Sequence, residues 1–524
     1  MSITLGNPIE SAVDGENNPI EFDIAYPIRR NLVASIEAIR AIHGADSALL
    51  PMSGMSCGGG IFSRQAVSRT VVGLQFQATL APAVKMAGVS NLSEVDLDEI
   101  FIDTKNQQVC AGAAITLDQL NVALAEQLGA QFKVAGADLT SYQYAAVGAT
   151  FMTGGMGPQR RYFSDSVSEI SIYRENQLEG VSGEALKGYA GTYGWTGIVS
   201  AVRCRYHRFP ENEIAFAIPV SNQPEKLARF LQQVAPFCYF ELQNDRPANE
   251  EIKSSMILGL EHVTTKSMGP MLRSQQQEIM HRRAHSLLEK CEVAGKQGLI
   301  FVSGFSDLPV DEFLFQLVDD IDAPSPCIAG ISLEHSEIFN HPDDMRLFRE
   351  AIPFAARTQS ATGKLVFKNH CDATIRLHPD EVEAGMRRLW QLNCAYVAAI
   401  EDYFANTAGV NGEILVYGHL NPFGVDPHNR ITFSCDETSL FETAQNFVIE
   451  QRAIYYRGLK QLCDQHRALF IGGEKSADSE REMYHAFGGI ESAPAKLREK
   501  FAYQTEQIKH SASSFNWRAL PPYL

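Results

Sequence analysis

Three glycine-rich segments lie within the first 200 residues, each where a predicted strand ends or a predicted helix begins. They are 51–60 (PMSGMSCGGG), 146–157 (AVGATFMTGGMG) and 191–200 (GTYGWTGIVS). Glycine permits positive φ and close backbone approach, so successive N–H groups can converge on a pyrophosphate. Taken alone, each segment could instead be a flexible surface turn. Neither GxGxxG after a first strand nor GxxxxGK[ST] is present, which disfavours a Rossmann domain and a P-loop.

Four stretches of this half occur in an order and spacing found in one known family. They are 49–60 (LLPMSGMSCGGG), 95–120 (VDLDEIFIDTKNQQVCAGAAITLDQL), 146–170 (AVGATFMTGGMGPQRRYFSDSVSEI) and 190–201 (AGTYGWTGIVSA). The first corresponds to a loop of the type PRGGGTS, and Gly112 takes the glycine position of the second. Together they resemble the FAD-linked oxidases and dehydrogenases of the vanillyl-alcohol oxidase/p-cresol methylhydroxylase superfamily.

The resemblance implies an α+β protein with a two-part FAD-binding domain of the p-cresol methylhydroxylase type. An α+β substrate (cap) domain and C-terminal helices would complete it. The expected boundaries are 1–208 for the FAD-binding domain, 209–438 for the substrate domain and 439–524 for a helical segment closing over the flavin.

The resemblance also implies which residues hold FAD. The first loop and the second glycine segment would bind the pyrophosphate through backbone N–H groups, and 197–199 would line the adenine and flavin side. Met52 stands where the family often has Arg, and Ser53 and Met55 replace two glycines. No His or Cys occupies the family's usual tethering positions in these segments, so FAD is expected to be non-covalent. The implied cofactor-binding residues are Pro51, Ser53, Gly54, Met55, Ser56, Cys57, Gly112, Val147, Gly148, Thr153, Gly154, Gly155, Gly157, Gly197, Ile198 and Val199.

In the C-terminal half, three segments resemble the branch that acts on 2-hydroxy acids such as D-lactate, glycolate and 2-hydroxyglutarate. Residues 368–382 (KNHCDATIRLHPDEV) resemble the segment that enters the cap domain. Residues 418–428 (GHLNPFGVDPH) resemble a GHxGDGNxH motif, with the two His nine apart instead of seven and the DGN core absent. Residues 472–479 (GGEKSADS) resemble a GEHG-type segment.

The resemblance implies a catalytic and metal-binding site formed by His419, His428, Glu474 and Lys475. In some members of the branch two His and the Glu bind a divalent metal, and this set suits zinc or manganese. Lys475 replaces the family's candidate base, so the expected base is His419, with His428 as the alternative. A lone His beside aromatic and Pro residues is more often structural. Glu474 and Lys475 could also form only an ion pair at a helix start.

Four further side chains are candidates for the substrate pocket. Arg349 and Lys368 could pair with a substrate carboxylate, although charged side chains at such positions are usually just solvated. Tyr417 and Tyr142 are candidates for lining the pocket.

Hydrophobic periodicity and flanking residues predict several elements. A helix within 28–44 ends at Gly44, and a short strand, 48–50, follows it. Thr116 is a possible N-cap for a helix. The later elements predicted are strands 213–220, 298–302 and 327–333, helices 117–128, 225–234, 271–291, 311–320, 379–392 and 395–405, and a largely helical region 440–524 with a break at Gly472.

Length and charge narrow the class of protein. With 524 residues, the chain exceeds what one hydrophobic core usually supports, so two or three lobes are expected. A net charge of −17, without clustered Lys and Arg, opposes nucleic-acid binding. No apolar run reaches the roughly 18–20 residues that cross a bilayer, and the ten cysteines are scattered. A cytoplasmic protein with reduced thiols is the expectation.

These observations favour an FAD-dependent oxidoreductase acting on CH–OH. It would oxidise a hydroxylated small molecule, foremost a 2-hydroxy acid, by hydride transfer to flavin N5. The electron acceptor would be oxygen, a quinone or a protein, and a homo-oligomer is left open. One alternative is a non-catalytic flavin-fold binding protein, which the altered DGN and EHG segments keep open. Another is an FAD oxidase of a phenolic alcohol or sugar with a tyrosine-rich pocket.

Overall fold

The structure is a computed structural model. It describes residues 5–12, 20, 22–52, 70–77, 81–137, 142–155, 157, 162–192, 194–238, 256–264, 278–320, 322, 324–339, 365–372, 374–421, 424–472, 483, 485–493, 498–499, 502, 505 and 507.

The chain begins with a small parallel sheet. Its elements are β1 (Ile24–Ile28), α1 (Leu32–His43), β2 (Ala48–Met52) and β3 (Val71–Phe76), with the strands in the order β1-β3-β2. The Asn31 side chain accepts a hydrogen bond from the N–H of Ala34 and caps α1. Because the strands are parallel, their carboxyl ends share one edge, and the first glycine segment begins there, at the end of β2.

A six-stranded sheet follows, in the order β4-β5-β6-β10-β8-β9. Thr116 and Gln119 form a capping box that begins α2, so the predicted cap is confirmed. The elements of this part are β4 (Ala83–Lys85), β5 (Glu99–Asp103), β6 (Gln108–Gly112), α2 (Leu117–Leu128), β7 (Phe132–Lys133), α3 (Val147–Thr153), β8 (Val167–Arg174), β9 (Gln177–Ser182), β10 (Ile198–Arg205) and β11 (His207–Arg208). One hydrophobic core, drawn from residues 26–206, joins this sheet to the small parallel sheet.

The second half is built on a seven-stranded antiparallel sheet. Its strand order is β17-β12-β14-β13-β20-β21-β18. The elements are β12 (Asn212–Val220), α4 (Pro224–Cys238), β13 (Met256–Thr264), α5 (Glu278–Val293), β14 (Gly298–Ser306), α6 (Val310–Leu317), β15 (Cys327–Ile328), β16 (Ile331–Ser332), β17 (Glu337–Ile338), β18 (Leu365–Asp372), β19 (Thr374–Arg376), α7 (Val382–Asn406), β20 (Asn411–Asn421), β21 (Gly424–Cys435), α8 (Thr438–Gln465) and β22 (Leu469–Gly472). β19 pairs with β22, and β15 pairs with β16.

The two faces of this large sheet differ in chemistry. Helices α4, α6, α7 and α8 cover one face and form the second hydrophobic core, drawn from residues 214–493. On the other face, α5 packs on Ala215, Ala217, Leu299 and Phe301. On the same face, the part formed by β20 and β21 is not covered by these apolar residues and carries mainly polar side chains. We call this part the buried polar face.

The structure corrects three of the predicted elements. The predicted helices 379–392 and 395–405 are one continuous helix, α7, preceded by a 3₁₀ turn at Pro379–Glu381. No Gly or Pro separates the two predicted helices, so nothing ends the first one. The predicted strand 327–333 is a tight hairpin, because Ala329 and Gly330 have positive φ. Of the predicted helix 271–291, the described part forms α5, which continues to Val293.

Candidate functional site

Pro51, where the first glycine segment begins, lies beside the second and third glycine segments. A Cβ added to Gly194 would lie 3.4 Å from Cγ of Pro51, and one added to Gly154 would lie 3.5 Å from Cα of Gly191. Gly154, Gly191 and Gly194 all have positive φ, a conformation that L side chains rarely adopt. Pro51 and the glycines of the second and third segments therefore form one surface beside the end of β2, although Pro51 precedes those glycines by more than 100 residues in sequence.

Three N–H groups at the start and end of α3 make hydrogen bonds within the protein. The N–H groups of Gly148, Gly154 and Gly155 donate to the carbonyls of Ala113, Phe151 and Thr150 respectively. The role of these three glycines in binding the pyrophosphate stays a prediction. Gly154 ends α3 in the left-handed conformation, with φ 66° and ψ 38°.

Other predicted glycines allow close packing behind this surface. A Cβ on Gly112 would lie 2.1 Å from the carbonyl oxygen of Asp96, and one on Gly148 would lie 2.6 Å from Cβ of Ala113. Gly197 has φ 141°, and its Cβ would lie 2.8 Å from the carbonyl oxygen of Tyr173. These glycines let the end of β6 approach Asp96, the start of α3 approach Ala113, and the residue before β10 approach β8.

The remaining predicted cofactor residues are placed as follows. Val147 and Thr153 begin and end α3, and Ile198 and Val199 begin β10. Gly157 is buried just after the end of α3. Ser53, Gly54, Met55, Ser56 and Cys57 lie outside the described residues.

A second group of polar side chains lies on the buried polar face of the large sheet. In the β20–β21 hairpin, Tyr417 is the Cα partner of His428, and His419 is the partner of Asp426. Side chains alternate along a strand, so these four share one face. His419, Asp426 and His428 are all buried, and Tyr417 is partly buried. Such burial of ionisable groups marks a candidate functional site.

The rings of this group are in direct contact. The Tyr417 and His428 rings are stacked, with centroids 5.2 Å apart and an interplanar angle of 6°. The His419 and His428 rings meet edge to face, with centroids 5.0 Å apart. Nε2 of His428 lies 3.7 Å from Oδ2 of Asp426. The two His of the modified motif are thus brought together, with a carboxyl group beside them.

Arg430 belongs to the same face, although the sequence analysis did not select it. It follows His428 by two residues on β21 and is buried. Its Cα partners are Leu415 on β20 and His370 on β18. The signal that could have found it is alternation, because Asp426, His428 and Arg430 occupy every second position of one strand.

Several of the predicted substrate and metal residues are not found on this face among the described residues. Arg349, Glu474 and Lys475 lie outside the described residues. Lys368 is described only by its backbone, which pairs with Thr432. Tyr142 packs against the first hydrophobic core instead. Within the part of the chain that the structure describes, no three His, Cys, Asp or Glu side chains are grouped so as to hold a metal ion.

Known proteins provide an independent comparison. The sequence matches no protein-family model and no curated protein. An alkyldihydroxyacetonephosphate synthase structure matches 84% of this chain and 72% of its own, with a TM-score of 0.54 and 12% identity. The structure of 6-hydroxy-D-nicotine oxidase from Arthrobacter nicotinovorans matches 97% of this chain and 94% of its own, with a TM-score of 0.51 and 10% identity. A berberine bridge enzyme variant described as a reticuline dehydrogenase matches 96% of this chain and 89% of its own, with a TM-score of 0.50 and 12% identity.

This likeness confirms the fold that the glycine motifs predicted. The chain shares its fold with these three solved structures. Its α+β architecture consists of the two glycine-bearing sheets and the large antiparallel sheet. None of the described helices combines the length and the apolar character needed to cross a membrane.

Proposed function

We propose that this chain is an FAD-dependent oxidoreductase that oxidises a hydroxylated small molecule, foremost a 2-hydroxy acid. The observation that carries the proposal is that Pro51 and the second and third glycine segments lie together within this fold. Two of the three similar structures also bear the names oxidase and dehydrogenase.

The glycine surface fits FAD because a dinucleotide needs close backbone approach along its pyrophosphate. Pro51 at the end of β2, Gly154 at the end of α3, and Gly191, Gly194 and Gly197 would surround it. Bound there, FAD would supply the acceptor for a hydride taken from the substrate. The expectation that FAD is held without a covalent tether remains part of the proposal.

In place of His419, which the sequence favoured, we propose His428 as the base that takes the substrate's hydroxyl proton, because the Asp426 carboxyl group lies beside it; His419 is the alternative. General bases of this kind need a buried site and a partner that stabilises the charged form. The Asp426 carboxyl group, 3.7 Å from Nε2 of His428, would stabilise the imidazolium that forms. The stacked Tyr417 ring limits rotation of the His428 ring.

Arg430 is the residue we propose to bind the substrate carboxylate. A guanidinium group can bind a carboxylate through two parallel hydrogen bonds. Alternate residues of a strand are about 7 Å apart, so Arg430 and His428 could contact opposite ends of one small molecule. A 2-hydroxy acid carries its hydroxyl group next to the carboxylate and fits between them. Lys368 and Arg349 remain candidates for the same role.

One observation favours a second substrate class. The Tyr417 ring lies flat on His428 within the candidate site, and an aromatic substrate could pack beside it. Oxidation of a phenolic alcohol is therefore the second proposal. It requires the Tyr417 ring and not the Arg430 guanidinium.

Anaerobic flavin bleaching tests these proposals. FAD-loaded protein is mixed with lactate, glycolate, 2-hydroxyglutarate, benzylic alcohols and sugars, and the loss of flavin absorbance is followed. We expect a 2-hydroxy acid to bleach the flavin in the wild type. Failure of every compound to bleach a fully loaded flavin would instead favour the non-catalytic binding protein. Reoxidation of the bleached flavin by oxygen, a quinone or a protein would then identify the acceptor.

Two variants separate the substrate classes. Arg430→Met should abolish bleaching by hydroxy acids and leave any bleaching by benzylic alcohols unchanged. Thr432→Val is the matched control, because Thr432 follows Arg430 by two residues on β21 and lies on the same buried face. Unchanged hydroxy-acid bleaching in Arg430→Met would contradict the assignment of the carboxylate site.

A further inference from the structure

Three polar side chains join the C-terminal part of the chain to the end of β8. Nη1 of Arg174, the last residue of β8, donates to the Tyr189 hydroxyl at 2.6 Å and to Oε1 of Gln507 at 3.2 Å. The Tyr189 hydroxyl lies 3.0 Å from the same Oε1 and donates to it. Gln507 follows Arg174 by 333 residues in sequence. We call these three side chains the C-terminal clamp.

The C-terminal clamp is a hydrogen-bond network around a buried charge. Arg174 and Tyr189 are both buried. Nε of Arg174 lies 3.1 Å from Oε2 of Glu179, so the guanidinium charge is compensated. Burial raises the pKa of the Tyr189 hydroxyl, which therefore stays protonated and able to donate. Within the clamp, Arg174 donates, Tyr189 accepts and donates, and Oε1 of Gln507 accepts twice.

The clamp contacts the third glycine segment, 191–200, from both sides. Tyr189 lies two residues before the segment, and its carbonyl accepts a hydrogen bond from the Thr192 hydroxyl at 2.7 Å. Arg174 follows Tyr173, whose carbonyl oxygen would lie 2.8 Å from a Cβ on Gly197. The clamp therefore holds the residue next to each side of the bend that carries these glycines.

The third glycine segment needs such support because its backbone is unusual. Gly191, Gly194 and Gly197 all have positive φ, and glycine leaves the backbone free to adopt many other conformations. A segment that must be ordered when a ligand arrives binds that ligand more weakly than one already held in place.

We propose that Gln507 is a positioning residue for the cofactor. It holds the third glycine segment in the conformation that accepts FAD, so that docking of the C-terminal part and FAD binding strengthen each other. This inference rests on the proposed FAD site. Coupling between two binding events is reciprocal, so bound FAD should in turn hold Gln507 against Arg174 and Tyr189.

Rebinding of FAD tests the inference. FAD is removed from the full-length protein, and the protein is titrated with FAD while the quenching of flavin fluorescence is followed. Gln507→Leu removes the acceptor of two hydrogen bonds at similar side-chain size. We expect its dissociation constant for FAD to rise about five- to thirty-fold, the factor equivalent to one or two net hydrogen bonds. Gln507→Glu keeps Oε1 and should restore most of the affinity.

Two further variants separate the clamp from a general loss of stability. Tyr189→Phe removes one of the two donors to Oε1 and should also weaken FAD binding. Combined with Gln507→Leu, its effect should be less than additive, because both changes remove the same hydrogen bond. Gln127→Leu is the matched control, since Gln127 is exposed on α2, and it should leave FAD affinity unchanged. Strictly additive losses would overturn the shared network.

Amide hydrogen exchange provides a readout that a merely structural role would not change. In the wild type, FAD should slow exchange in the peptide that carries Gln507, and this protection should be lost in Gln507→Leu. Wild-type protein that binds FAD while Gln507→Leu binds it equally tightly would overturn this inference alone. Wild-type protein that binds no FAD would overturn the proposed cofactor site and this inference with it. Should Gln507→Leu not fold, unchanged FAD affinity in Tyr189→Phe would overturn the inference.

Discussion

Replacing Gly154 by Ala tests whether the end of α3 belongs to the cofactor cradle. Gly154 ends the helix with φ 66° and ψ 38°, the left-handed conformation. An L-residue in this conformation costs roughly 1–2 kcal/mol, because its Cβ approaches the following carbonyl. The added Cβ meets only Cα of Gly191, at 3.5 Å, which is ordinary contact. The expected cost is therefore backbone strain and not a clash.

The strain should appear in the affinity for FAD. Without FAD, the last turn of α3 in Gly154→Ala can unwind and relieve the strain. Binding FAD would then have to restore the left-handed conformation. The dissociation constant should therefore rise by the factor equivalent to about 1–2 kcal/mol, which is roughly five- to thirty-fold.

Gly183→Ala is the matched control. Gly183 has φ 62° with no atom within 4 Å of its added Cβ, and it is exposed beyond the edge strand β9. It carries the same strain without touching the cradle. Both variants should unfold at lower urea concentration, but only Gly154→Ala should bind FAD more weakly. The assay is equilibrium titration of FAD-free protein, followed by quenching of flavin fluorescence. Equal FAD affinity in the two variants would refute the placement of the cofactor at the end of α3.

Three further predictions follow from the buried groups. His428→Asn should slow flavin reduction in stopped-flow experiments by about 10²–10⁴-fold with FAD content unchanged, as expected when a general base is lost; near-normal rates would exclude His428 as the base. Gly418→Ala should lower the free energy of unfolding by several kcal/mol in urea titrations, because its Cβ would lie 2.2 Å from the carbonyl oxygen of Asp426; an unperturbed midpoint would contradict the hairpin geometry. Burial raises the pKa of the Cys110 thiol to about 11, so the unfolded chain, with a thiol pKa near 9.0, ionises first as pH rises. The contribution of the Cys110 thiol to the free energy of unfolding is complete below pH 9 and should fall by about 2–3 kcal/mol between pH 9 and 11. Urea unfolding at pH 8 and pH 10.5 measures the loss of stability. Cys110→Ala should lose less stability between these two pH values than the wild type does.

Local signals in the sequence predicted the first half of the chain well. Thr116 and Gln119 carry all the information needed to begin α2, because a capping box involves only neighbours in sequence. Gly44 ends α1, and this helix end also depends only on residues that are neighbours in sequence. The glycine motifs predicted the fold because strained backbone positions require glycine wherever they occur.

The hairpin that carries His419 and His428 was not predicted as two strands. Strand prediction expects an apolar face towards the core, but one face of β21 is polar and nevertheless buried. The nine-residue spacing of the two His follows from the register in which β20 pairs with β21. His419 pairs with Asp426, so His428 is its diagonal neighbour on the same face. Such pairing is set by tertiary structure and cannot be read from the motif alone.

Because side chains alternate along β21, one face of the strand packs in the hydrophobic core and the other face forms the candidate site. Ile431 and Phe433 belong to the hydrophobic core, while Asp426, His428 and Arg430 project to the other side. Replacing one of the three polar side chains leaves the backbone pairing and the core packing in place. A library that varies only these alternate positions should therefore contain mostly folded proteins with different substrate preferences. The same strand could support changes of specificity over evolution without loss of the scaffold.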